Sequence, residues 1–231
     1  MKRRPILAAG GATLALALIS STVALAAAGP KVTVRIEGRT RALLAPTLVR
    51  TRTGSITNDG APRGACPETS AAGVLDTAAH HRWSGTFGSF GIPDYFITSI
   101  LGDTEKSKAY YWGIWIDNRF ATTGACEIKL HSGDRLLFAV DSISHHEHPL
   151  NLMGPAGARV GHSFSVEVVS FSDSGVAKPL RGAHVRGAGP TATTNSHGVA
   201  TLTATHTGTL ALRADRSGYI RAAPVSIRVT L

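Results

Sequence analysis

The sequence predicts an α+β unit followed by an all-β unit. Strand-like alternation and a single helical stripe mix over residues 31–141, whereas residues 150–231 alternate in short strands punctuated by Gly, Pro and Asn. The change falls at Ser142-Ile143-Ser144-His145-His146-Glu147-His148-Pro149, which reads as a linker over residues 142–149. Composition agrees with a folded chain: of 231 residues, 43% are hydrophobic and 17% charged, and mean hydropathy is +0.06. That is too apolar and too weakly charged for disorder, and the absence of a G-X-Y period excludes collagen.

The first element is an export signal over residues 1–28. Lys2-Arg3-Arg4 precedes an uncharged apolar stretch, and Ala24-Leu25-Ala26 and Ala26-Ala27-Ala28 both offer small-x-small cleavage sites. A retained anchor is the alternative, because the stretch is long enough to span a bilayer, although its many small residues insert weakly. Removing the three basic residues takes the formal charge from +9 to about +6. Export places Cys66 and Cys126, the only two cysteines, where a disulfide persists. Pairing them closes a loop of about 60 residues, which the chain-entropy account equates to roughly 4 kcal/mol. Two free thiols are the alternative, and no C-x-x-C spacing suggests a metal or redox site.

In the first unit, Val32-Thr33-Val34-Arg35-Ile36 alternates as a half-buried strand with Val32, Val34 and Ile36 inward. Residues 43–51 offer a second strand broken by Pro46. Thr69 or Ser70 can cap a helix over residues 70–81, whose Ala71, Val74, Leu75, Ala78 and Ala79 share one stripe. His80-His81 then sits at the helix end, where cations favour the dipole. Residues 95–101, 110–120 and 135–140 read as strands, the last entered through a turn at Gly133-Asp134. Two strands, a helix and further strands in this order describe a β-grasp or related mixed sheet packed on one helix.

The run from Val32-Thr33-Val34-Arg35-Ile36-Glu37-Gly38 through Cys66, Ala72-Gly73-Val74-Leu75-Asp76, Trp83-Ser84-Gly85, Tyr111-Trp112 and Gly124-Ala125-Cys126 to Gly133-Asp134 resembles the transcobalamin-like C-terminal domain family. The resemblance covers residues 31–141 and implies a β-grasp-like module of exported bacterial proteins, with no assigned activity. It does not imply cobalamin binding, since the chain has no room for the large helical partner domain of the vertebrate carriers.

In the second unit, Phe164-Ser165-Val166-Glu167-Val168, His184-Val185, Val199-Ala200-Thr201-Leu202-Thr203, Leu210-Ala211-Leu212 and Val225-Ser226-Ile227-Arg228-Val229 alternate as strands. Asn195-Ser196-His197-Gly198 and Arg216-Ser217-Gly218 supply turns, and together they predict a small antiparallel sandwich. The order of these strands and turns resembles bacterial Ig-like and carboxypeptidase-regulatory-like repeats, with Asn195 where Asp is usual. That resemblance implies a spacer, display or adhesion module.

Ten of the 14 aromatic residues, including all three tryptophans, lie between Trp83 and Phe120. On a strand through residues 110–117, Tyr110, Trp112, Ile114 and Ile116 share a core face, and Tyr111, Gly113, Trp115 and Asp117 share the other. The second face is either a platform that stacks a planar ligand or a surface packed under the loop at residues 87–94. The candidate ligand contacts are therefore Tyr111, Trp115 and Asp117, with Trp83 and Phe87 as neighbours. The His145-His146-Glu147-His148 run carries imidazoles that suit zinc or copper. No distant ligand can be named from the sequence, so a solvated linker is the plainer reading and no metal or cofactor is expected.

No G-x-S-x-G, H-E-x-x-H, P-loop or G-x-G-x-x-G signature occurs, and no carboxylate spacing argues for a glycosidase pair. No basic cluster interleaves with the aromatics, which argues against nucleic acid. Residues 150–231 hold eight basic and three acidic side chains, a balance that suits anionic envelope polymer or an ordinary solvated surface. The expected function is a secreted, non-catalytic binding or display protein of the cell envelope, its partner a small molecule or an envelope component. A purely structural or adhesive protein and an exported enzyme with a site assembled only in space are the alternatives.

Overall fold

The computed structural model describes residues 28–58, 64–105 and 109–231, with the side chain of Phe90 left aside. Apart from Ala28, the expected export segment lies outside the described residues. Among the described residues no helix is long and apolar enough to cross a membrane.

The chain is mostly β, with several sheets and one α-helix among the described residues. Strands β1 (Lys31–Glu37), β2 (Ala42–Arg50), β3 (Ser55–Ile56) and β4 (Cys66–Pro67) precede helix α1 (Ala71–Ala78). Strands β5 (Trp83–Phe87), β6 (Tyr95–Ile100), β7 (Asp103–Thr104), β8 (Tyr110–Ile116), β9 (Arg119–Phe120) and β10 (Arg135–Ser142) follow. The main sheet has the order β2-β1-β10-β8-β9 and is mixed, since β1 and β10 run parallel while the other pairs are antiparallel. Pro46 is tolerated inside β2 because β2 is an edge strand, and the ladder skips there between the Val34–Thr47 and Ile36–Leu44 pairs.

Helix α1 starts at Ser70, whose hydroxyl accepts from Gly73 N at 3.3 Å and donates to the Pro67 carbonyl at 2.6 Å. It ends at Ala78, shorter than the periodicity predicts, because His80 and His81 adopt positive φ. Trp83 Nε1 donates to Asp76 at 2.9 Å, while His81 pairs with the other oxygen of that carboxylate at 2.7 Å. The helix residues Ala71, Val74 and Leu75 join Val32, Val34, Ile36, Trp112 and Phe138 in the first core.

Cys66 and Cys126 are joined in a disulfide, as expected, with Cα atoms 5.0 Å apart. Beside it, buried Asp94 accepts from Tyr95 N at 2.6 Å and Cys126 N at 2.9 Å. Gly124 is required there, since a Cβ would collide with the Asp94 carboxyl. Reducing the disulfide is expected to lower the unfolding free energy by roughly 2–4 kcal/mol, through the chain freedom that the unfolded state regains. Urea titrations with and without reductant check this.

Glu105 is buried, and burial pushes its carboxyl above the ordinary range. A folded-state value raised above the unfolded one gives stability that is whole below about pH 4 and lost as pH rises through the folded value. Glu105→Gln is therefore expected to leave the urea midpoint at pH 4 unchanged and to raise it at pH 7. Equal shifts at both pH values would contradict this.

The second unit holds β11 (His148–Met153), β12 (Gly157–Arg159), β13 (Ser163–Phe171), β14 (Ala177–Pro179) and β15 (His184–Arg186). It continues with β16 (Ala192–Thr193), β17 (Val199–Thr203), β18 (Gly208–Asp215), β19 (Tyr219–Ile220) and β20 (Val225–Thr230). Two five-stranded sheets form: β14-β13-β11-β19 with β17 also on β13, and β12-β20-β18-β15-β16. The expectation of purely antiparallel pairing is corrected at β11–β19 and β12–β20, which are parallel. A separate core, including Leu152, Val166, Val168, Leu202, Leu212 and Ile227, fills this unit. The predicted turn at residues 195–198 forms, with Asn195 Oδ1 accepting from His197 N and Val199 N and Gly198 at positive φ.

Candidate functional site: the seam between the two units

The two cores are joined by a third cluster, made of Trp115, Leu137 and Ala139 from the main sheet with Ile220 from β19 and Phe120 against them. The outer face of the main sheet is therefore covered by the second unit. Two expectations change as a result. Strand β1 is not half-buried: Arg35 and Glu37, on the face opposite Val34 and Ile36, are buried as well. Trp115 is not an exposed platform: it is 0% exposed. Its ring folds back over Gly113, where a Cβ would lie 2.6 Å from the ring edge, and Phe120 meets it edge-on at 5.2 Å.

The remaining candidates are dispersed. Asp117 is not on the strand with Trp115; with Asn118 it takes positive φ in the turn between β8 and β9, and its carboxylate accepts from Arg135 N at 3.1 Å. A two-residue hairpin of this hand suits Asp and Asn, and that chemistry ends β8 at Ile116, short of the predicted strand end. Trp83 is buried and Phe87 half-buried in the first core, each edge-on to Tyr95, with the sheet between them and Trp115. Tyr111 donates its hydroxyl to Asp141 Oδ2 at 2.6 Å. Burial and that carboxylate hold its phenol well above the ordinary range, so it stays a donor.

Asp141 organises a polar cluster at one end of the seam. Its side chain is 0% exposed. Oδ1 accepts from Ser142 N and Glu147 N, both at 2.8 Å, and Oδ2 receives Tyr111 and lies 2.5 Å from His146 Nδ1. The other ring nitrogen, Nε2, lies 2.8 Å from Asp173 Oδ1, on the loop joining β13 to β14. The His146 ring is stacked 6.0 Å from Trp115 and edge-on to Phe120 at 4.6 Å. The expected solvated linker is a short crossing, exposed at residues 143–145 and packed into the seam at His146: Ser142 ends β10 and His148-Pro149 begins β11. His146, His148 and Asp173 bring three potential ligand atoms within 4.8 Å of one another.

At the other end, Arg221 reaches across the seam. Its Nη2 and Nε donate to Glu37 Oε2 at 3.0 and 3.2 Å, and Nη2 also donates to the Gly38 carbonyl at 2.6 Å. Arg35 donates to Glu37 Oε1 at 3.4 Å and to the Arg221 carbonyl at 2.7 Å. Burial pulls the Glu37 carboxyl upward against the opposing pull of both guanidinium groups, and burial lowers Arg35. A cleft of about 350 Å³ opens beside this network, between Tyr110 with Arg39 over its ring and Tyr219 with Arg216 over its ring.

Sequence reasoning missed Asp141, Asp173, Arg221 and the cleft. One signal pointed to the seam: Leu136-Leu137-Phe138-Ala139-Val140 is apolar without alternation, the mark of a strand covered on both faces. Fold and site together define a mostly β protein of two units, closed by a disulfide in the first and joined through a buried seam. Residues 72–142, from α1 to the end of β10, match the family described as "Domain of unknown function (DUF4430)". No curated protein matches the chain.

Proposed function

We propose that this chain is an exported, non-catalytic display or binding protein of the cell envelope. Residues 31–141 would be a transcobalamin C-terminal-like β-grasp module, and residues 150–231 an Ig-like sandwich carried on it. The mixed sheet on one helix and the family match within residues 72–142 support the first assignment. The two packed sheets support the second. The disulfide is compatible with an oxidising compartment.

The observation that carries the reading is the burial of Trp115 against the second unit. The aromatic face serves as a mount, so display through the outer surface of the second unit is favoured over capture of a planar ligand on that face. Native and denatured mass spectrometry of the protein from its own cells, with cell fractionation, test this. The expected result is a chain shortened at residues 24–28, oxidised at both cysteines, in the envelope or medium and without a bound organic molecule. A full-length reduced chain inside the cell would overturn export. A retained small molecule would overturn display in favour of a carrier.

A further inference from the structure

We propose that His146, His148 and Asp173 form a site for a divalent transition-metal ion of the zinc class, tying the second unit to the crossing segment that packs on the first. The inference is independent of the export and display reading. Three features of the seam carry it.

The first is the ligand set. His146 Nε2 lies 2.8 Å and His148 Nδ1 3.5 Å from Asp173 Oδ1, with the two rings nearly perpendicular at 5.3 Å. Two imidazoles and a carboxylate suit zinc and its neighbours, whereas calcium and magnesium prefer all-oxygen shells. The site opens to water on the Asp173 side, where that side chain is 60% exposed, leaving room for a fourth, solvent ligand.

The second is that the set is held in place before any ion arrives. Asp141 receives His146 Nδ1 and is itself fixed by two backbone N–H groups and Tyr111, which gives the carboxylate–histidine support usual behind metal-bound imidazoles. Trp115 and Phe120 fix the ring plane. The Asp173 carbonyl accepts from Phe120 N at 2.9 Å, pinning the loop of the second unit to the first.

The third is unmet bonding. His148 Nδ1 is buried and has no hydrogen-bond partner. His146 Nε2 faces Asp173 Oδ1 at 2.8 Å, and when that nitrogen carries no proton its lone pair is open to a cation. A cation seated among the three atoms satisfies all of them. His145, exposed and bonded to Ser144, lies outside the group.

The test uses tag-free, chelator-treated full chain titrated with zinc alone by calorimetry, and with cobalt by visible absorption. The variants are His148→Ala, Asp173→Asn and, as a control outside the site, His145→Ala. The proposal expects one ion per chain, a tetrahedral cobalt spectrum, and a rise in Tm with zinc. Removing a direct ligand is expected to weaken binding by more than about 100-fold, above the cost of losing an outer partner, while His145→Ala binds as the parent does. Circular dichroism identifies variants that still fold. No saturable binding in the parent chain, or binding equally strong in both folded ligand variants, would overturn the proposal.

Discussion

Trp115→Ala is expected to lower the unfolding free energy by roughly 3–5 kcal/mol, the range for emptying a fully buried aromatic site. The ring has no exposed surface and clusters with groups from both units, Leu137 and Ala139 beside it on the sheet and Ile220 from the second unit. Its removal leaves a cavity that the sheet cannot collapse into, because β8 is held on both sides by β10 and β9. Trp115→Phe is expected to cost less than alanine: it retains much of the volume and deletes an indole N–H that is buried without a partner. Urea titrations followed by circular dichroism give both values. A loss below about 1 kcal/mol for Trp115→Ala would mean that the ring is not enclosed by the second unit.

Glu37→Ala is expected to have a comparable effect, about 3–5 kcal/mol, by a different route. Glu37 is the carboxylate between Arg35 and Arg221, and its loss leaves two guanidinium groups facing each other at the seam, Arg35 buried among them. The penalty comes mainly from charge left without a partner. Arg221→Ala is expected to cost less, since Arg35 still pairs with Glu37. Combining Glu37→Ala with Arg221→Ala is expected to cost less than the two single losses added, because the second change removes a charge the first had stranded. Strict additivity in that cycle would show that the two residues do not meet across the seam. The Glu37 and Trp115 sites lie in different parts of the seam, so both effects in one chain would establish it as a continuous interface.

Local chemistry made much of the fold legible. Ser70 caps the helix because its hydroxyl meets Gly73 N, and Asn195 turns the chain through its own side-chain bonds; both act within four residues and are written in the sequence. The alternation of Val32, Val34 and Ile36 marked the inner face of β1 correctly. The disulfide pairing was legible because two cysteines allow one pairing. The Asp117-Asn118 turn is legible in principle, from the tolerance of both residues for positive φ, but the apolar alternation running through it masks the turn.

The candidate site was the least legible part. An outward-facing Trp115 is equally consistent with a ligand platform and with a surface awaiting a second unit, because period-two alternation says which residues share a face and nothing about what covers it. Asp141 and Asp173 are 32 positions apart, and only the docking of the β13–β14 loop on Phe120 brings the second carboxylate to His146. The sequence by itself determined many of the strands, the start of the helix and its cap, the turn at residues 195–198 and the cysteine pair, since each depends on near neighbours or, for the cysteines, on there being one pairing to make. The tertiary structure alone decided that the two units share a buried seam, with its histidine–carboxylate cluster and its Arg–Glu–Arg network. Those contacts join residues up to 186 positions apart, and their energy depends on complementary surfaces meeting.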